Sequence, residues 1–338
     1  MNYNFNYNYV VFSWLMPGSP SIEDDYYAIC LRDLENRDDV IVNHYPMQEY
    51  SRFWRLLYRI HNCRVFNNKW WRLGNWIWFP YVFKNTFKNN KPICFVCIRY
   101  PDAYYLLYLR KKYPNCKIVF LCRDLLKNHI EEYNRYQATK QKVYDYWMTF
   151  DEGESKQYGF KHFDEFESKL QIPIGKDYPI ADVFFTGRAK DRLPKLVEIY
   201  DKLTSGGLRC LFIIMSAPKE IQVERDGIKY IDKPITYTEM LRLTVNCRCI
   251  LDLNQADCVG YTSRILEAII YNKKLVTDNM SILSTKFYNP QYVQCVKTAG
   301  EIDTKSVKED DAVDYHYNNE FSPLNRLSQI DKMLCEEK

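Results

Sequence analysis

The sequence predicts an α/β protein made of two doubly wound parallel-sheet domains facing a cleft. Three observations predict it. Short apolar runs alternate with stretches of helical spacing along most of the chain, the pattern of parallel strands covered on both faces. The rhythm stops once, between about 160 and 180, where charges and the pieces "IPIG" and "DYP" replace it, and then restarts. At 338 residues the chain is long enough for two domains, each with its own core. The expected division is 1–172, 173–320, and a last helix within 321–338 that packs back on the first domain.

The elements follow in order. "YVVFSWLM" (9–16) reads as the first strand, then the turn-rich "PGSPS" and a helix from Asp24 to Asn36. "DVIVNHY" (39–45) is the second strand, and "QEYSRFWRLLYRIHN" (48–62) has helical spacing. "PICFVCI" (92–98) reads as a buried strand. "DAYYLLYLRKKY" (102–113) is an amphipathic helix with its basic residues in the last turn, where they suit the helix dipole. "CKIVFLC" (116–122), a helix over 131–146, "YWMTFD" (146–151) and a short helix stopped by Gly159 complete the first half. In the second half, "ADVFFTG" (181–187) is a strand that ends in glycine. A helix stopped by Gly206–Gly207 leads to "LRCLFIIM" (208–215) and "IKYI" (228–231). Thr236, three before Glu239, opens the next helix with a capping-box pattern. "CRCILDL" (247–253), a helix from about 262 and "KLVTD" (274–278) follow. The charged stretch after Glu301 reads as an exposed loop before the last helix, 323–335.

Composition excludes some functions. A net charge of +4 is too small to argue for nucleic acid. The twelve cysteines include several inside apolar strand runs, which reads as reduced core cysteine in a cytoplasmic protein. Cys94 and Cys97 have zinc-like spacing, but within one strand they point to opposite faces, and histidine is scarce. A zinc site is not expected there. "MNYNFNYNYVVFSW" lacks the basic and apolar regions of a signal peptide. The longest strongly apolar run, "WIWFPYVF" (76–83), is far short of the roughly 20 residues a spanning helix needs.

Ligands in open α/β sheets bind beyond the carboxyl ends of the strands. Two loops of the second half belong there. In "TGRAKDR" (186–192), Gly187 permits a tight turn, and Arg188, Lys190 and Arg192 bring positive charge to a helix N-terminus; the combination suits a diphosphate. The alternative is a solvated basic loop. In "NQADCVGYT" (254–262), Gly260 permits close approach of backbone to ligand and Thr262 is an N-cap candidate, with Asp257 and Tyr261 beside them. Arg264 and Glu267 are three apart and share a helix face. Either that face opens onto a ligand, with Glu267 accepting ribose hydroxyls, or the two form a structural pair.

The order of "DVFFTGRAKDRLPKLVEIYDKL", "GIKYI", the Y-x-E-M-L helix from Tyr237, "CILDLNQ", "GYTSRILEAIIYNKKLVTDN" and "FYNP" resembles the nucleotide-sugar half of GT-B-fold glycosyltransferases, and more closely those of bacterial lipopolysaccharide and capsular polysaccharide biosynthesis. The resemblance covers roughly 180–296 and extends weakly to "MTFDEGESKQYGF". It implies GT-B architecture, a nucleotide-sugar donor and no metal. It implies that Glu267 holds the donor ribose, that Gly260, Tyr261, Thr262 and Arg264 lie near the donor phosphates, and that Gly187 and Arg188 form the first strand-to-helix turn. Many retaining members carry an acid seven residues before the ribose glutamate; here that position is Gly260. A non-catalytic nucleotide- or saccharide-binding protein and a GT-B-like nucleotide-sugar epimerase are the alternatives.

The first half should bring the acceptor and a base to deprotonate its hydroxyl. Glu23, Asp24, Asp25, His44, Asp102 and Asp124 stand at strand ends; the alternative for each is a helix cap or a surface charge, and His44 and Asp24 are preferred among them. From Tyr50 to Pro101 there are ten Lys/Arg, no Asp or Glu, and five of the seven tryptophans: Trp54, Trp70, Trp71, Trp76 and Trp78. Tryptophan beside basic residues suits the headgroup region of a membrane, and a lipid-linked saccharide acceptor at the inner face of the plasma membrane would call for such a contact. A core aromatic cluster with a basic rim is the alternative.

Overall fold

A computed structural model describes residues 3–14, 21, 24–61, 72–99, 101–254 and 260–336. The chain divides into two compact units: residues 1–163 with 323–338, and residues 164–322.

The first unit contains β1 (Asn8–Phe12), α1 (Tyr26–Ile29), β2 (Val40–Asn43), α2 (Arg52–His61), α3 (Phe79–Val82), β3 (Ile93–Cys97), α4 (Ala103–Lys112), β4 (Lys117–Cys122), α5 (Ile130–Ala138), β5 (Tyr146–Thr149), α6 (Glu152–Tyr158) and β6 (Lys161–His162). Every pairing is parallel, in the order β2-β1-β3-β4-β5-β6. β1 and β3 are buried along their whole length, which is why they read as continuous apolar runs rather than alternating ones. Phe12 and Phe95, from these neighbouring strands, stack with ring centroids 5.7 Å apart at the centre of the core.

Two predicted helices are shorter than expected. Asp25, not Asp24, caps α1 through Tyr27 N and Ala28 N. The helix stops at Ile29, and a separate 3-10 turn over Arg32–Leu34 carries the buried Leu34. The helix expected to reach 146 ends at Ala138. Lys140 has φ of 53°, a left-handed conformation that cannot continue a helix, and Val143 and Tyr144 then enter the core. α6 ends as expected, with Gly159 at φ 70°.

The second unit contains β7 (Ala181–Arg188), α7 (Leu193–Ser205), β8 (Cys210–Met215), β9 (Ile228–Ile231), α8 (Tyr237–Val245), β10 (Cys247–Asp252), α9 (Ser263–Ile270), β11 (Lys274–Thr277), β12 (Val293–Cys295) and α10 (Thr304–Lys308). Its parallel sheet has the order β12-β11-β10-β7-β8-β9. Successive strands step outward from β7 to β9, then outward the other way from β10 to β12. The direction therefore reverses between β7 and β10, the topological switch point of a Rossmann-like sheet. Thr236 caps α8 by accepting from Glu239 N at 3.2 Å, as the capping box predicts. Gly227 is fixed by crowding: a Cβ there would lie 2.1 Å from the Cys210 carbonyl oxygen.

The last helix, α11 (Pro323–Glu336), belongs to the first unit. Its buried Asp331 accepts from Asn6 N at 2.9 Å, Tyr7 N at 3.2 Å and the Tyr9 hydroxyl at 2.9 Å, which ties it to the approach to β1. The ten described cysteines are free thiols, eight of them buried. Among the described residues no helix is long and apolar enough to cross a membrane.

Candidate functional site

The switch point of the second unit lies between β7 and β10, the strands that lead into the two candidate loops. β7 and β10 pair only as far as Phe184 opposite Ile250. Beyond that, β7 stays with β8 out to Arg188 opposite Met215, and β10 stays with β11 out to Asp252 opposite Thr277. The two strands part, and their carboxyl ends open a crevice.

Two arginines bridge its floor. Arg264 of α9 donates through Nε to Asp252 Oδ1 at 3.0 Å, through Nη1 to the Thr186 carbonyl at 3.2 Å and through Nη2 to the Leu253 carbonyl at 3.3 Å. Arg192, at the start of α7, donates to the carbonyls of Leu253 (2.5 Å) and Arg188 (2.7 Å). Each guanidinium replaces ladder hydrogen bonds that β7 and β10 have given up, and both lie over the Phe185 ring. Burial, with the Arg264 charge beside it, pulls the Arg192 pKa down to about 10. Gly187 leaves room for this pair: a Cβ would come within 3.2 Å of the Phe185 ring and 3.4 Å of Arg264 Nη1.

Asp252 organises the other side. Fully buried at the end of β10, it accepts from Thr262 Oγ1 at 2.7 Å, Arg264 Nε at 3.0 Å and Thr277 Oγ1 at 2.9 Å. Thr262 occupies the N-cap position of α9 but makes no side-chain cap bond. Its hydroxyl is turned to Asp252, so it does not close off the first-turn N–H groups of α9, the positive end of the helix dipole. Gly260 is held by its carbonyl, which accepts from Asn279 Nδ2 at 3.1 Å, and Tyr261 packs half-buried against the α9 core. Arg188 and Lys190 are exposed on the facing lip. Asp257 lies outside the described residues.

Glu267 shares the Arg264 face but reaches a different partner. Only 1 % exposed, its carboxyl lies 3.1 Å from the Tyr237 hydroxyl of α8, which also contacts Glu167; with one proton the hydroxyl donates to one carboxyl and accepts from the other in its protonated form. Burial pushes the Glu267 pKa up to about 8; the Tyr237 hydroxyl and Arg264 counter the rise, and Asp252 adds to it. Asp252, Tyr237 and Glu167 are absent from the residues that the sequence singles out. An acid closing the buried run "CILD" and the glutamates in the buried "EFES" segment were the available signals.

In the first unit the sheet reverses between β1 and β3, and His44 stands beyond β2 on the same edge. The His44 imidazole lies 2.9 Å from Ser13 Oγ through Nδ1, and burial lowers its pKa, which favours the neutral ring that can take a proton. Asp24 is half-buried and accepts from Ser21 Oγ at 2.9 Å. Asp25 and Asp102 are helix caps, for α1 and α4. Asp124 accepts from Leu125 N and Asn128 Nδ2. Glu23 lies outside the described residues.

No family model matches the chain, and no curated protein matches it. Solved structures resemble it at low identity. UDP-N-acetylglucosamine 2-epimerase from Rickettsia bellii is 12 % identical with a TM-score of 0.42, over 98 % of this chain and 95 % of that one. An α,α-trehalose 6-phosphate synthase from Burkholderia multivorans is 8 % identical with a TM-score of 0.45, over 96 % and 94 %. An α-glucosyltransferase in complex with UDP-glucose and DNA containing an abasic site is 10 % identical with a TM-score of 0.44, over 95 % and 89 %. Likeness of this degree carries no argument about chemistry, which rests on the residues themselves.

Proposed function

We propose that the protein is a glycosyltransferase that moves a sugar from a nucleotide-sugar donor to a saccharide acceptor. What supports the reading is the parted switch point between β7 and β10. One lip carries the exposed Arg188 and Lys190, and the other carries the α9 N-terminus that the Thr262 side chain leaves uncapped. A diphosphate bound there meets positive charge on both sides. Arg264 and Arg192, held by carbonyls, supply fixed charge beneath it, which stabilises the developing anion of a leaving nucleoside diphosphate without reorganising. Gly260 and Tyr261 border the approach. Glu267 takes the ribose hydroxyls in exchange for its contact with the Tyr237 hydroxyl.

The acceptor hydroxyl attacks the anomeric carbon, the bond to the diphosphate breaks, and a base removes the hydroxyl proton. His44 is the preferred base and Asp24 the second. No metal or other cofactor takes part in this scheme. The sequence resemblance and the basic, Trp-rich stretch favour a lipid-linked acceptor in surface polysaccharide assembly, lipopolysaccharide or capsule, on the cytoplasmic face of the plasma membrane.

The test is turnover of a panel of nucleotide sugars with and without saccharide acceptors. Acceptor-dependent release of nucleoside diphosphate supports transfer. Epimerised sugar with no acceptor present, or tight binding with no turnover under any condition, contradicts it.

A further inference from the structure

The helix α2 is unlike the others of its unit. None of its side chains is buried, although six of its ten residues are aromatic or aliphatic. Phe53, Leu56 and Ile60 recur at i, i+3 and i+7 and are 62, 55 and 45 % exposed. Arg52, Arg55 and Arg59 recur at the same spacing and form an adjacent stripe. Tyr58 turns the other way and joins the core cluster, so the direction of the exposed stripe is fixed.

A second segment extends the patch. Trp78 donates to His61 Nδ1 at 2.7 Å and packs edge-on against Tyr58, so it is an inward anchor rather than a membrane tryptophan. That anchor leaves Trp76 and Ile77 exposed, and Tyr81, packed on Tyr50 just before α2, and Trp54 are exposed as well. Trp70 and Trp71 lie outside the described residues. Of the seventeen large apolar side chains exposed among the described residues, seven fall between 53 and 81, so the exposure is concentrated and not scattered.

We propose that this surface docks onto an anionic lipid bilayer, with α2 lying in the plane of the headgroups. An apolar stripe flanked by arginines is the pattern of an interfacial helix. The charge selects the occupant. Arg52, Arg55 and Arg59 line α2, and α2 carries no acidic residue, which complements anionic headgroups. A second copy meeting the same patch would set Arg52, Arg55 and Arg59 against their own copies, and α2 itself has no carboxylate to answer them. A nucleic acid would leave Leu56, Ile60 and Ile77 unused, since aliphatic side chains neither stack on bases as aromatics do nor bind phosphate. The surface deepens the reading of a lipid-linked acceptor, but its test is separate, because vesicle binding requires neither donor nor acceptor.

The test is flotation of the full chain with phosphatidylcholine vesicles, with and without phosphatidylglycerol. Wild type floats with the anionic vesicles at low salt and is released as salt rises. Arg52→Gln with Arg59→Gln lowers the partition about 30-fold. Leu56→Ser with Ile60→Ser abolishes flotation while circular dichroism and nucleotide binding stay unchanged, as expected for exposed side chains. Absence of flotation at low salt, or flotation that survives both double variants, overturns the proposal. So does a wild-type dimer in sedimentation velocity that the Leu56/Ile60 variant turns into monomer, or binding of single-stranded DNA that the Arg52/Arg59 variant loses.

Discussion

Arg264 Nε donates to Asp252 Oδ1 at 3.0 Å, and this ion pair joins the last residue of β10 to the first turn of α9. The carboxylate is fully buried and also accepts from Thr262 and Thr277. The guanidinium reaches across the switch point to the Thr186 carbonyl of β7. One pair thus sets the width of the crevice and the start of the helix that would face a diphosphate.

Removing the buried acceptor strands a half-buried cation and two hydroxyls. Asp252→Ala should cost about 3–5 kcal/mol of stability, the scale for breaking one side of a buried pair. Urea denaturation of wild type and variant measures it. A loss under about 1 kcal/mol would show that Asp252 is not the hub.

Arg188 and Lys190 are exposed, so their removal should leave stability within about 0.5 kcal/mol. UDP binding should weaken about tenfold or more for each alanine variant, the range for a charge-assisted hydrogen bond. Calorimetric titration reads both constants. Unchanged affinity in both variants would place the phosphates elsewhere.

Gly187 borders the arginine pair, and a Cβ at this position would stand within 3.4 Å of both the Phe185 ring and Arg264 Nη1. Gly187→Ala should be tolerated with a small shift of the Phe185 ring. Gly187→Val should displace the guanidiniums, cost about 1–3 kcal/mol as overpacking does, and weaken UDP binding. Equal behaviour of the two variants in thermal melts would contradict this packing.

Glu267 gives a pH signature. Its pKa rises from an ordinary 4.5 to about 8 on folding, chiefly through burial. The folded state therefore binds the proton more tightly than the unfolded state. The stabilisation is fully present below pH 4.5 and is lost as pH rises toward 8. Each tenfold difference in proton affinity is about 1.4 kcal/mol. Glu267→Gln keeps an acceptor for Tyr237 and cannot ionise. It should match wild type near pH 5 and be more stable near pH 8.5. Lys273, whose pKa burial lowers to about 8, is common to both proteins and cancels in the comparison. A stability difference independent of pH would show that Glu267 does not hold a proton in the fold.

Much of this architecture was legible because buried parallel strands leave continuous apolar runs, and because Gly159 and Thr236 mark helix ends by local chemistry. The two-residue β6 and the three-residue β12 were not read as strands, since runs that short carry no periodicity. The candidate loops were legible from Gly187 and Gly260. Their floor was not: Asp252, Arg192 and Arg264 meet only when β7 and β10, more than sixty residues apart in sequence, become neighbours. Glu267 pointed to a ligand by its spacing from Arg264, whereas its present partner, Tyr237, comes from another helix. The outward face of α2 was likewise hidden, since its apolar stripe reads the same whether it meets a core or a bilayer.

The most direct test of the central claim is the structure of the protein bound to UDP. The diphosphate is expected between Arg188–Lys190 and the first turn of α9 at Thr262, with the ribose at Glu267 and the Tyr237 hydroxyl displaced from it. UDP bound away from the β7–β10 switch point, with the Tyr237–Glu267 contact intact, would contradict it.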